Sequence, residues 1–157
     1  MKRWASVLLW VCCLSLAACS SGPVRRVSEP TASIQQLTVS ADGSWSVDLR
    51  LQNYSSIPMR FDAVSLEMSI GDESAGTLQG NAGMSIGPES ADVVTLTHAP
   101  TSAARIAIAD SLSGNHGLDY RLEGTLQVVP EDKGSRTFDI KRDSRLNPVP
   151  GLPGVLR

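Results

Sequence analysis

Cysteine and histidine are the side chains best suited to nucleophilic chemistry and metal binding, and this chain of 157 residues has three cysteines and two histidines. His98 and His116 have no Cys or second His at the spacing of a metal site. No serine lies in a nucleophile-elbow motif, and no glycine-rich run ends in Gly-Lys-Ser or Gly-Lys-Thr. We therefore expect no catalytic residue, no metal and no cofactor, and the sequence predicts that the protein is not an enzyme.

Adjacent carboxylates occur twice in predicted turns, as Asp72-Glu73 and as Glu131-Asp132. Solvated charge is their ordinary role, and weak calcium contact is the alternative. Because a tight calcium site needs about six or more oxygen ligands, and neither pair resembles a calcium loop, we expect solvated charge at both places.

Cys19 is the cysteine whose surroundings indicate a definite chemistry. Lys2 and Arg3, an apolar run over residues 4–14, and small residues before Cys19 follow one another in the order of an export signal. The run is shorter than the roughly 20 residues of a spanning helix. Leu16-Ala17-Ala18-Cys19 resembles the bacterial lipobox, which implies cleavage before Cys19 and attachment of acyl chains such as palmitate. An ordinary secretory signal with a nearby cysteine is the alternative.

Removal of a signal peptide over residues 1–18 would take away Lys2 and Arg3, and the formal net charge would change from −2 to −4. Cys12 and Cys13 would leave with it, so no intramolecular disulfide is expected. A mildly acidic chain has no electrostatic reason to bind nucleic acid or an anionic lipid surface. The expected partner is thus the membrane, bound through acyl chains on Cys19, in which each buried methylene contributes about 0.8 kcal/mol.

Residues 19–31 predict a lipid anchor and a flexible tether, because Ser, Gly, Pro, Arg and Val follow there without an apolar period. About eleven extended residues reach roughly 35 Å. Ser20 follows the lipidated cysteine, where enterobacterial sorting rules use Asp for retention in the inner membrane. This resemblance implies a bacterial cell-envelope protein, lipid-anchored in the outer membrane and facing the periplasm.

Strand periodicity dominates the rest of the chain. In residues 45–52 every odd position is apolar and every even position is polar, which is the two-residue repeat of a half-buried strand. Residues 118–128 alternate in the same way, with Gly124 in place of one inward side chain. Weaker alternation appears at residues 34–39, 64–70, 93–97 and 137–140, and a short strand is indicated near residues 74–78.

Turn chemistry separates these strands, as in residues 41–44 and 130–134. About seven short strands predict an all-β, antiparallel two-sheet sandwich, as in immunoglobulin-like domains, over residues 32–143. The glycines at positions 71, 76, 80, 83 and 87 are expected to permit turns and bulges. A short helix over residues 102–112 would cover an open end, although Ile106 and Ile108 fit a strand equally well.

The C-terminal tail, residues 144–157, contains Pro148, Pro150 and Pro153 and cannot pair in the centre of a sheet. We expect it either to lie extended along the domain or to hang free. A proline-containing ligand for a protein partner is the sharper alternative.

Residues 34–140 resemble the group-2 late embryogenesis abundant proteins, also called the water stress and hypersensitive response (WHy) domain. The resemblance is carried by the residues Trp45 to Asn53, Ile57 to Phe61, Val64 to Ile70, Gly76 to Gly80, Ile86 to Ser90, Val93 to Leu96, and Leu118 to Gly124. It implies a fibronectin-III-like sandwich with a helix, in proteins associated with desiccation and other stress, and it supplies no catalytic residue. The chain departs from the family at Asn53-Tyr54, where members commonly have Asn-Pro.

Asn53 is the polar residue to which the sequence assigns a structural role, because it ends the best-defined strand and matches the family's turn. We expect its side chain to bond nearby backbone. Together these features predict a non-catalytic module that binds or shields other molecules during desiccation or envelope stress. The alternative is a structural accessory subunit that docks on an outer-membrane or periplasmic assembly through a sheet edge or the C-terminal tail.

Overall fold

The computed structural model of the chain describes residues 25–157. Eight strands and one helix are present in this part of the chain. In chain order they are β1 (Thr31–Val39), β2 (Trp45–Gln52), β3 (Met59–Ile70), β4 (Glu73–Ile86), β5 (Ala91–His98), α1 (Ser102–Gly114), β6 (Leu118–Pro130), β7 (Arg136–Leu146) and β8 (Val155–Leu156).

The strands form two four-stranded sheets with the orders β5-β2-β1-β8 and β4-β3-β6-β7. Every neighbouring pair is antiparallel. The all-β sandwich predicted from the alternation is therefore confirmed, with one short strand more than the expected seven.

The core lies between the two sheets. Trp45, Val47, Leu49 and Leu51 of β2 are fully buried and alternate with more exposed polar residues, as the sequence pattern requires. Each such side chain stabilises the fold by about 1.5–3 kcal/mol relative to full exposure. Burial of one face of each sheet thus fixes the strand register, because a slip by one residue would turn the apolar side chains to water.

Strand β4 is longer than the sequence indicated. The prediction of a short strand near residues 74–78 was wrong, because the whole stretch Glu73–Ile86 pairs with β3. Glycines interrupt the apolar alternation there and conceal the strand. Gly76 (φ 95°) and Gly83 (φ 59°) lie where the register against β3 shifts, so the prediction of bulges at these two glycines is confirmed.

Gly124 allows β6 to approach β3 closely. A Cβ atom at this position would collide with the backbone oxygen of Ser65 and would lie 3.0 Å from Cα of Leu66, and φ of Gly124 is 154°. Since backbone cannot move aside cheaply, we expect Gly124→Ala to lower the free energy of unfolding by about 2–4 kcal/mol. Urea unfolding of the detergent-solubilised protein would measure it. Gly134→Ala is the control, since nothing lies within 4 Å of its added Cβ, and an equal loss in both variants would contradict the explanation.

The predicted helix is confirmed and runs from Ser102 to Gly114. The Oγ1 of Thr101 accepts a hydrogen bond from the Ala104 N–H at 3.2 Å, which caps the first turn, and Asn115 ends the helix in the left-handed conformation (φ 49°). Ile108 faces the core, whereas Ile106 is 70% exposed. Helix α1 therefore packs on the sandwich through one face only. Residues 25–157 contain no helix whose length and hydrophobicity would let it cross a bilayer.

The C-terminal tail is part of the sandwich. Strand β7 continues to Leu146, after which the chain turns back and β8 pairs with β1 at Leu37 and Thr38. Asn147 and Arg157 exchange two backbone hydrogen bonds of 2.6 and 2.9 Å. Of the two arrangements left open by the sequence, the tail thus adopts the packed one, as an edge strand rather than a free extension. Its prolines confine it to an edge.

The connections between strands gather at two opposite ends of the sandwich. The entry end, where the chain enters the domain, consists of residues 25–30, 53–58, 87–90 and 131–135. The helix end consists of residues 40–44, 71–72, 99–117 and 147–154. Because the chain runs up and down between these ends, a residue in a connection can be assigned to one end without ambiguity.

Candidate functional site at the entry end

The predicted site residues divide between two parts of the chain. Cys19 and the recognition residues Leu16, Ala17 and Ala18 lie outside residues 25–157, so their lipidation and cleavage stay predictions. Asn53 lies at the entry end, directly after β2.

The side chain of Asn53 is fully buried and bonded on both sides. Its Nδ2 lies 2.9 Å from the carbonyl oxygens of Ile57 and Gly87 and 3.1 Å from that of Ile86, and its Oδ1 accepts from the Ser55 N–H at 2.8 Å. Only a side chain with both N–H donors and an oxygen acceptor can form all of these hydrogen bonds. Asn53 thus bonds nearby backbone, as expected of it, and joins loop 53–58 to the end of β4.

The N-terminal segment, residues 25–30, is held by the same loop. The Arg26 N–H donates to Ser56 Oγ at 2.8 Å, the Ser56 N–H donates to the Arg26 carbonyl at 3.0 Å, and the Ser28 N–H donates to the buried Ser55 Oγ at 2.8 Å. The prediction of a flexible tether is therefore wrong for residues 25–30, which pack along the domain. Sequence periodicity could not reveal this, because the contacts join loops almost 30 residues apart; the adjacent hydroxyls of Ser55 and Ser56 were the available signal.

Charged side chains also position this segment. Arg25 Nη2 lies 3.0 Å from Glu131 Oε2 and 2.9 Å from Asp132 Oδ2. Arg26 Nη2 lies 3.6 Å from Glu89 Oε1. The sequence predicted solvated charge at Glu131-Asp132. The structure shows that this pair also binds an arginine. Exposed pairs such as these contribute only about 0–1 kcal/mol each, so they add to the attachment that the backbone hydrogen bonds of Arg26 and Ser28 already provide.

The two histidines lie in different surroundings at the helix end. His98 is buried beside Trp45, and its Nε2 lies 2.8 Å from the Ala75 carbonyl oxygen. His116 is exposed, with Nε2 3.3 Å from Asp110 Oδ2. The described residues contain no group of three or more His, Cys, Asp or Glu side chains that could hold a metal ion.

A polar groove of about 950 Å³ lies at the helix end. Four of its charged side chains form two ion pairs: Arg121 Nε lies 2.6 Å from Asp143 Oδ1, and Arg145 Nη1 lies 3.0 Å from Asp119 Oδ1. The hydrogen bond that Arg121 donates to Asp143 raises the pKa of Arg121. The groove thus presents pairs of opposite charge to solvent.

Comparisons with known proteins agree with this fold. The family model of the late embryogenesis abundant proteins (LEA_2) matches residues 48–144. A solution structure of a protein from Arabidopsis thaliana has a TM-score of 0.51 at 11% identity, covering 83% of this chain and 87% of that chain. The solution structure of a protein described as a late embryogenesis abundant (LEA) protein has a TM-score of 0.50 at 14% identity, covering 98% of this chain and 87% of that chain.

At such low identity the two structures show the fold alone, and no curated protein matches the sequence significantly. The family model, by contrast, covers more than half of the chain and includes β3 to β6 in full. The chain therefore belongs to the late embryogenesis abundant protein family.

Proposed function

We propose that this protein is a lipid-anchored, non-catalytic member of its family, of the water stress and hypersensitive response type, in a bacterial cell envelope. Its domain binds or shields other molecules during desiccation or envelope stress. Acyl chains on Cys19 attach it to the outer membrane, on the periplasmic side. Family membership is the observation that carries the stress role.

The described side chains support a module without a reactive centre. In residues 25–157, every buried side-chain nitrogen and oxygen atom has a hydrogen-bond partner. Asn53, the most highly bonded of them, contacts backbone only. The polar groups of the domain thus serve its own structure, and its surface is what remains available to other molecules.

A deletion strain tests the proposed role. Loss of the gene is expected to reduce survival after drying and osmotic shock, because the shielding domain is then missing from the envelope. Return of the wild-type gene should restore survival, whereas a gene carrying Cys19→Ser should restore it only in part, since its product is no longer held at the membrane. Equal survival of the deletion and wild-type strains under all these stresses would count against the proposal.

An accessory subunit of an envelope assembly is the second candidate, and β4 is the feature that favours it. This strand forms an edge of its sheet and contains no Lys, Arg or Pro, the residues that commonly protect such edges. The tail, in contrast, already pairs with β1. Cross-linking with mass spectrometry distinguishes the candidates, because one stoichiometric partner joined through β4 would favour the accessory subunit.

A further inference from the structure

We propose that the entry end of the sandwich faces the lipid headgroups, with Tyr54 directed into them, and that the helix end points away from the membrane. The proposal rests on lipidation of Cys19, which is part of the proposed function. It adds an interaction surface, made of residues 25–28, 53–58 and 131–135, and it commits that surface to a phospholipid bilayer.

The chain leaves the domain at a fixed point, beside Arg25 and Arg26. Arg25 is held by Glu131 and Asp132, and the Arg26 backbone exchanges hydrogen bonds with Ser56. Without these contacts, a free segment would extend to Thr31, where β1 begins. With them, the segment between the lipidated residue and the domain ends at Arg25.

The segment between Cys19 and Arg25 is short compared with the domain. Cys19 and Arg25 are six residues apart, which spans at most about 20 Å when fully extended. The long axis of the domain is much longer, since the twelve residues of β3 rise about 40 Å. The helix end therefore cannot face the bilayer end-on, in place of the entry end, while the contacts of Arg25 and Arg26 persist.

The exposed hydrophobic side chains indicate which surface suits the headgroup layer of the bilayer. The large hydrophobic side chains exposed in residues 25–157 are Tyr54 (49%), Ile106 (70%) and Leu152 (48%). Ile106 and Leu152 lie at the helix end, whereas Tyr54 lies beside the exit point, where its carbonyl oxygen accepts from Arg26 Nη2 at 3.3 Å. A tyrosine ring has an apolar body and a polar tip and is suited to the headgroup layer.

A side-on orientation would be less favourable. The outer face of β6 and β7 carries ion pairs of both signs, including Lys141 with Glu123 at 3.0 Å and Arg121 with Asp143 at 2.6 Å. Such a face is well hydrated and has no net charge that would attract anionic lipid. The end-on orientation instead places the exposed ring in the headgroups and leaves α1 away from the membrane.

Site-specific fluorescence quenching tests the orientation on the full-length lipidated protein. Cys19 carries acyl chains, so a single introduced thiol can be labelled with bimane. Tyr54→Cys and Leu152→Cys form a matched pair, because the two side chains are almost equally exposed. Lys133→Cys gives a second entry-end position that keeps Tyr54. The proteins are reconstituted into phosphatidylethanolamine and phosphatidylglycerol vesicles that contain a lipid with a nitroxide on its headgroup.

We expect at least threefold stronger quenching at positions 54 and 133 than at position 152. Equal quenching at both ends, or stronger quenching at position 152, would overturn the orientation. A protein that lacks acyl mass and does not float with the vesicles would instead overturn the proposed anchoring and the orientation with it. Trp45 fluorescence, from a buried core residue, shows whether each variant is folded.

Discussion

Replacement of Cys19 by serine is expected to move the protein from the membrane fraction to the periplasmic fraction almost completely. The hydroxyl cannot form the thioether that carries the acyl chains, and the mildly acidic chain has no electrostatic attraction to an anionic lipid surface. Each buried methylene contributes about 0.8 kcal/mol, so loss of several chains removes far more than any surface contact could replace.

Fractionation and immunoblotting of cells that express wild-type or Cys19→Ser protein would measure this shift. Cys12→Ser is the matched control, because it changes a cysteine within the predicted signal peptide and should leave the protein in the membrane fraction. If Cys19→Ser protein stayed with the membrane, another part of the chain would have to provide the attachment.

The second large effect is expected at Asn53. Asn53→Ala would remove the present partner of the buried Ile57 carbonyl oxygen, of the partly buried Gly87 carbonyl oxygen and of the buried Ser55 N–H. Each unsatisfied buried group costs about 1–3 kcal/mol, and water entry offsets part of the total. We expect the free energy of unfolding to fall by about 3–4 kcal/mol, a large fraction of the 5–15 kcal/mol typical of domains.

Urea unfolding followed by Trp45 fluorescence would measure the loss. Asn81→Ala is the control, since Asn81 is exposed on β4 and should change the free energy by about 0.5 kcal/mol or less. Asn53→Asp adds a test of the mechanism, because burial would raise the pKa of the new carboxyl. Its protonated form is then favoured in the folded state, so this variant should become more stable, relative to wild type, as the pH falls. Equal stability of Asn53→Ala and wild type would contradict the role given to Asn53.

The sandwich could be predicted from the sequence because β2 and β6 alternate strictly and both lie inside their sheets. Strand β4 was underestimated, since it lies at an edge and its glycines leave few inward side chains, such as Leu78 and Ile86. The two residues of β8 lie among prolines and have no period of their own. Local patterns thus reveal strands with an uninterrupted apolar alternation, including the edge strands β5 and β7, and miss strands in which glycines or prolines interrupt it.

The entry end shows the same distinction. Asn53 could be recognised because its partners Ser55 and Ile57 are near in sequence. The contact between Arg25 and Glu131 joins residues 106 positions apart, so no local sequence pattern predicts it. This contact changes the expected geometry most, because it shortens the free tether from about eleven residues to six or fewer.

Both the anchoring and the orientation depend on the covalent state of Cys19. Mass spectrometry of the N-terminal peptide of the mature protein, purified from membranes, would determine it. We predict a chain that begins at Cys19 and carries the mass of a thioether-linked diacylglycerol and an amide-linked acyl chain. An unmodified Cys19 thiol, or cleavage at another position, would contradict it.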